Sequence, residues 1–169
     1  VNKIISSLAI SINNIDKTKN LDSLRGVEGE AAKNYYSVFL ELISNPDFKD
    51  SFKGRNKRPP MDEVNALLSF FYTILAHDCE AALETVGLDP QVGFFHQERP
   101  GRSSLALDMM EELRPYIVDR FVVTLINTRQ VQLNDFTTKE NGAILLKPEA
   151  RKRILQIWQK RKQDIITHP

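Results

Sequence analysis

The chain has 169 residues, 41% of them hydrophobic, with 7 glycines and 8 prolines, which excludes a disordered or low-complexity polypeptide and predicts one globular domain with a sizeable core. A formal charge of +1 argues neither for nor against nucleic acid, so the placement of the charges carries that question. The lone cysteine, Cys79, excludes a disulfide framework and a cysteine zinc site; with no signal-peptide pattern and apolar runs such as ALLSFFYTILA reading as too short to span a bilayer, a soluble, cytoplasmic protein without a membrane is expected.

In chain order, the pattern is helical with one exception. The chain opens on Val1, directly into an amphipathic pattern, which suggests the later part of a longer polypeptide. Ile4, Ile5, Leu8, Ile12 and Ile15 predict a first helix that frays into NNIDKTKN. A long second helix is expected from about Asp22 to Ile43, with Leu24, Val27, Ala31, Tyr35, Val38 and Leu42 as its buried stripe, stopped by Asn45-Pro46. The polar, basic segment DFKDSFKGRNKRPP reads as a mobile surface connection. After Pro59 and Pro60 comes the central core helix, carrying Val64, Leu67, Leu68, Phe71, Ile74, Leu75, Cys79, Ala82 and Leu83 and ended by Gly87 and Pro90. Phe94, Phe95 and His96 fall in a loop closed by Arg99-Pro100-Gly101, with Ser103 or Ser104 available to cap the next helix, the one that bears Asp108 and Glu111. Pro115 starts or kinks a further helix marked by Ile117, Val118, Phe121, Val122, Leu125 and Ile126. Asn141-Gly142, between DFTTKE and AILL, is the hairpin signal, and a basic helix from about Pro148 to Ile165 closes the chain. The fold class is therefore all-α, a multi-helix arrangement over residues 1–169 with one small β-hairpin near residues 135–146.

Three acids and a histidine stand out from this pattern. Glu28 is four residues from Leu24 and three from Ala31, so its carboxylate is expected on or beside the buried stripe, where an unpaired charge costs several kcal/mol, roughly. Gly26 and Gly29 flank it at a helix cost of about 1 kcal/mol each, which suggests that a ligand or another helix approaches the backbone there. The competing reading pairs Glu28 with Arg25 or Lys33 on a solvated edge. Asp108 and Glu111, three apart, can present two carboxylates to one cation, or simply face solvent with Glu112 and Arg114. His96 can be a ligand, a general base or a packed ring. Together these groups make a mixed nitrogen and oxygen donor set suited to Mn²⁺ or Mg²⁺, with the imidazole leaning toward manganese. Arg25, Lys33, Arg99, Arg102 and Arg114 flank the same segments, which points to a phosphate-bearing guest. The run KPEARKRILQIWQKRKQ reads first as an exposed helix with paired charges.

The blocks LRGVEGEAA, RPPMDEVNALLSFFYTIL, HQERPGRSSLALDMMEELRP and QVQLNDFTTKENGAILL, spread over nearly the whole chain from Leu21 onward, resemble the CRISPR-associated spacer-acquisition endonuclease and integrase, the nearly universal first Cas protein. The likeness is greatest to its type I, subtype C form. The resemblance implies a helical catalytic domain in which Glu28, His96 and Glu111 are the metal ligands and Asp108 is the adjacent essential acid. It further implies Mn²⁺ or Mg²⁺ as cofactor, cleavage and transesterification of DNA phosphodiesters between protospacer and CRISPR repeat, and assembly with the second Cas protein. Members of that family also carry an N-terminal β-rich domain that helps form a homodimer, and these 169 residues do not include one.

Two other classes stay open at this stage. His77-Asp78 in LAHDCEAA prompts an HD-type metal phosphohydrolase, although no histidine precedes His77 as that class requires. A non-catalytic helical adaptor is the second alternative, with its acids merely solvated.

Overall fold

A computed structural model describes residues 2–166, with side chains described through residue 163. Helix α1 (Asn2–Ile15) folds back on α2 (Leu21–Ser37), and the two are tied by Asn34 Nδ2 donating to Ser7 Oγ at 2.9 Å. Asn20 caps α2 by accepting from the Ser23 N–H while the Ser23 hydroxyl accepts from the Asn20 N–H, a reciprocal box that silences two donors at the helix start.

The second helix is shorter than its periodicity predicts. It ends at Ser37, and Phe39–Leu42 turn as a 3₁₀ segment that drives Phe39 and Ile43 into the core. No proline or glycine announces this break; the burial of two large side chains in a new direction imposes it. The expected stripe on α2 is only half-buried, and no residue of the helix is fully enclosed.

Helix α3 (Glu63–Thr85) is the central element, started by Asp62, whose carboxylate accepts from the Asn65 N–H at 2.7 Å, and ended by Gly87 at φ +78°. At 23 residues it is long and apolar enough to cross a bilayer, which corrects the reading that no run here is long enough. Val64, Leu67, Leu68, Phe71 and Leu75 are buried inside the protein, which makes it a core helix. Phe71 meets Phe121 edge-on at 4.9 Å and Trp158 at 5.1 Å between ring centroids. These aromatic pairs add about 0.5–1.5 kcal/mol each beyond the area they bury, and they join α3 to α5 (Arg120–Asn127) and to α6 (Pro148–Ile166).

The basic connection before α3 is anchored, which corrects its reading as a mobile surface strand of chain. Phe48 and Phe52 are buried, and the Arg55 guanidinium donates to Asn65 Oδ1 at 2.7 Å and Ser69 Oγ at 3.1 Å on α3. Asn56 is held in turn by Asn65 and Asp62.

Helix α4 (Ser104–Leu113) runs into Pro115, which has no N–H to give, and the backbone widens into a π-helical turn over Arg114–Asp119 before α5 begins. Ser103 stands at the N-cap of α4, but neither serine hydroxyl caps a backbone N–H there. Ser103 Oγ donates to Glu80 Oε1 at 2.5 Å and Ser104 Oγ to the Gln97 carbonyl at 3.1 Å, so both brace the preceding loop instead. The hairpin forms as its turn signal predicts: β1 (Phe136–Thr138) pairs antiparallel with β2 (Ile144–Leu146), Phe136 opposite Leu146. The loop between them closes with Gly142 at φ +79°, and Ile144 donates to the Pro60 carbonyl at 2.9 Å, docking the hairpin on the anchored connection.

Candidate metal and nucleic-acid site

The loop before α4 is laid directly onto that helix. A Cβ on Gly93 would stand 2.7 Å from Ser104 Cβ and 2.9 Å from Asp108 Oδ2, so only glycine lets the backbone come this close. The three following residues then wrap one carboxylate. Asp108 Oδ2 accepts from the Phe94 and Phe95 N–H groups at 2.7 and 2.9 Å; Oδ1 accepts from the His96 N–H at 2.9 Å and from His96 Nδ1 at 2.6 Å. Burial alone would raise the Asp108 pKa, but these donors outweigh it and hold it below the ordinary value.

An ionised carboxylate accepts only, so Nδ1 of His96 carries a proton, and in the neutral ring Nε2 keeps a lone pair. That lone pair faces Glu111 Oε1 at 3.4 Å. Two electron-pair donors directed at one another call for a proton or a cation between them. Carboxylate, histidine and an outward lone pair form the arrangement that orients an imidazole for a metal ion, and this donor chemistry fits a divalent cation. Burial raises the Glu111 pKa; Arg114 and His96 pull it back, and the charges of Glu28 and Asp108 push it further up.

Behind Glu111 lies a polar cluster that the sequence pattern did not disclose. Arg114 approaches Glu111 Oε1 at 3.3 Å, and its guanidinium carbon lies 5.3 Å from the centre of the Tyr72 ring. Arg55 contacts the same ring at the same distance. The Tyr72 hydroxyl donates to Asp119 Oδ1, Tyr35 donates to Asp119 Oδ2 at 3.0 Å, and Tyr36 and Tyr72 share a hydrogen bond of 2.6 Å. Asp119 is 2% exposed. Burial raises its pKa, opposed by the two tyrosine donors and the two guanidinium groups. The available signal was an acid between buried Val118 and Phe121, facing a tyrosine on the apolar side of α3.

Glu28 is exposed on α2, which corrects its expected place on a buried stripe. It forms no hydrogen bond or ion pair among the described residues, with Arg25 and Lys33 included. A Cβ on Gly26 or Gly29 would meet nothing within 4 Å, so no other helix of this chain crowds the backbone there. Among the described residues no three His, Cys, Asp or Glu side chains close into a ready metal cage. The Glu28 charge is nevertheless felt at Glu111 and at Lys57, whose pKa is lowered by desolvation and by Arg114 and Arg55 against the pull of Glu28 and Glu111.

The five candidate phosphate-binding cations are differently placed. Arg25 pairs with Asp22 at 2.9 Å, donates to the Phe95 carbonyl and sits 5.6 Å over the Phe95 ring, so it braces the histidine loop. Arg114 is engaged as described. Lys33 and Arg99 are exposed and Arg102 is half-buried, with no ion pair among the described residues. Asp78 pairs with Lys162 at 3.0 Å and exposed His77 with Glu80 at 3.4 Å, so the His77-Asp78 dipeptide is spent on surface pairs. On α6, Arg153 pairs with Asp135 at 2.6 Å.

The family described as CRISPR associated protein Cas1 matches residues 1–160. The chain is 57% identical over 151 residues to the CRISPR-associated endonuclease Cas1 2 of Rhodospirillum rubrum, covering 89% of this chain and 44% of that protein. Its fold superimposes on a partial Cas6-RT-Cas1–Cas2 complex with a TM-score of 0.86 at 31% identity, covering 96% of this chain and 49% of the other. It superimposes on a casposase bound to integration product with a TM-score of 0.81 at 32% identity, covering 90% and 43%. The chain spans about half the length of the curated relatives it matches. On sequence and fold together, it belongs to the CRISPR-associated Cas1 family.

Proposed function

We propose that this chain is the metal-dependent catalytic part of a DNA endonuclease and integrase that inserts spacers into a CRISPR array. The observation that carries the reading is the chain of contacts Asp108–His96–Glu111, in which a buried carboxylate fixes one imidazole nitrogen and aims the other at a second acid. His96 and Glu111 hold the cation, and Glu28, whose charge already reaches Glu111, completes the set. Bound there, a divalent ion supplies Lewis-acid stabilisation of the phosphodiester and of the attacking oxygen. Manganese suits the imidazole better than magnesium does.

The protein's own groups do the rest. Asp108 keeps the His96 ring in one tautomer and one orientation. Arg114, beside Glu111, offers a fixed guanidinium for a phosphate oxygen, while Lys33, Arg99 and Arg102 present charge that tracks the DNA backbone without reading bases. Protospacer ends and the CRISPR repeat are the DNA substrates, and a second Cas protein together with a second copy of this protein brings the two ends into register. A cytoplasmic setting accords with the free Cys79. The Cas6-RT-Cas1–Cas2 complex and the casposase bound to integration product, which share this fold, support the partner and substrate classes.

The test is cleavage of a labelled DNA duplex with Mn²⁺. His96→Ala, Glu111→Ala and Glu28→Ala each abolish product while circular dichroism shows helix content unchanged. Cleavage that persists in all three variants removes the assignment of this site.

A further inference from the structure

One cluster of polar side chains lies outside the proposed metal site. Asp119, Tyr72, Tyr35 and Arg55 lie behind Glu111, away from the histidine loop, and they meet the site at a single residue, Arg114. A guanidinium on a long side chain has several rotamers of similar energy, and a phosphate contact made in one of them needs that one to be selected in advance. Arg114 is restrained on two sides. The Tyr72 ring lies against the guanidinium, 5.3 Å from centroid to carbon, and Glu111 Oε1 takes its NH2 group at 3.3 Å. The ring cannot swing away from the guanidinium, because its hydroxyl is bound to Asp119 and to Tyr36. Asp119 is itself fixed by Tyr35 from α2. Four segments therefore converge to set one side chain: α2, the anchored connection, α3 and the π-turn that both begins with Arg114 and ends with Asp119.

The π-turn explains how two residues five apart serve one cluster. In a π-helical turn the backbone hydrogen bonds run from i to i+5 and the turn is wider than an α-helical one, so Asp119 falls closer to the side of Arg114. A regular α-helix would carry Asp119 well round from Arg114.

We propose that Asp119 and Tyr72 are positioning residues for nucleic acid: they hold Arg114 in the orientation in which it takes a DNA phosphate beside Glu111. The inference rests on the proposed function, and it adds to that function a buried support that touches neither DNA nor metal.

The test is DNA binding by fluorescence anisotropy in EDTA, across a series of salt concentrations, so that cleavage plays no part. Arg114→Ala removes one phosphate contact and lowers the slope of log K against log salt by about 0.9. Asp119→Asn and Tyr72→Phe each lower the slope by the same amount and weaken binding about tenfold in the parent chain, yet less than twofold in the Arg114→Ala background. Tyr72→Phe keeps the ring and loses only the tether, so it carries the test if Asp119→Asn does not fold. Equal losses in both backgrounds, or no loss in the parent, overturn the inference and leave the proposed function standing. A parent chain with no salt-dependent DNA binding overturns the proposed function, and the inference with it.

Discussion

Replacing Asp108 by alanine strikes the point where local structure and chemistry meet. Its side chain is 0% exposed and accepts four hydrogen bonds, three from the consecutive N–H groups of Phe94, Phe95 and His96 and one from the imidazole. A hydrogen bond to a charged acceptor contributes roughly 1.5–3 kcal/mol net. The four do not add, because the loop relaxes and some donors regain water, so a loss of about 3–5 kcal/mol is expected, the range for breaking a buried charged contact. At about 2–4 °C per kcal/mol for a chain of this size, the melting temperature falls by roughly 6–20 °C. A second effect is separable from the first. Without Asp108 the His96 ring loses the acceptor that fixes its tautomer, and Mn²⁺ affinity drops about 10–100-fold. Thermal unfolding by circular dichroism and Mn²⁺ calorimetry on the folded variant, below its transition, read the two effects apart. A melting temperature within about 2 °C of the parent, together with unchanged Mn²⁺ affinity, refutes the reasoning.

The other predictions concern pH, glycines and the aromatic core. Because the folded-state pKa of Asp108 is depressed, its contribution to stability is present above the unfolded carboxylate value of about 3.9 and is lost as pH falls through the folded one. The stability gap between the parent and Asp108→Asn, followed by urea unfolding at several pH values, is therefore full at neutral pH and closes in acid; a gap that widens in acid contradicts the assigned shift. Gly93→Ala forces a methyl group against Ser104 and Asp108 and destabilises by about 1–3 kcal/mol in urea unfolding. Gly26→Ala and Gly29→Ala, facing open space within α2, stabilise by up to about 1 kcal/mol each in the same assay, and destabilisation there would reveal a close approach that the fold does not contain. Trp158→Ala, fully buried against Phe71 and Phe121, costs about 3–5 kcal/mol and loosens α6 first, visible as early amide exchange along that helix.

The elements that could be read from the sequence are those whose signals are local. The apolar spacing of α3, its stop at Gly87 and the Asn141-Gly142 hairpin each depend on neighbours within a few residues. His96 and Glu111, joined in the sequence as members of one donor set, do come within 3.4 Å of each other. What escaped depends on contacts between distant segments. The turn at Val38 is imposed by the places Phe39 and Ile43 take in the core. The connection before α3 is polar by composition but pinned by Phe52 and Arg55. Asp119 reads as one more acid on a helix until Tyr35 and Tyr72, 84 and 47 residues away, arrive from other elements to bind it. Glu28 erred in the opposite sense: α1 and the rest of the fold cover α2 only in part, so a stripe that is apolar in sequence is half-open in space.

The proposed chemistry turns on one ion that His96 Nε2, Glu111 and Glu28 would hold together. Crystals soaked in Mn²⁺ and measured at the manganese absorption edge locate that ion directly. A single strong anomalous peak is expected, coordinated by His96 Nε2 and a Glu111 carboxylate oxygen, with Glu28 turned in from α2 as the third ligand. A peak elsewhere, or manganese bound while Glu28 remains turned to solvent, contradicts it.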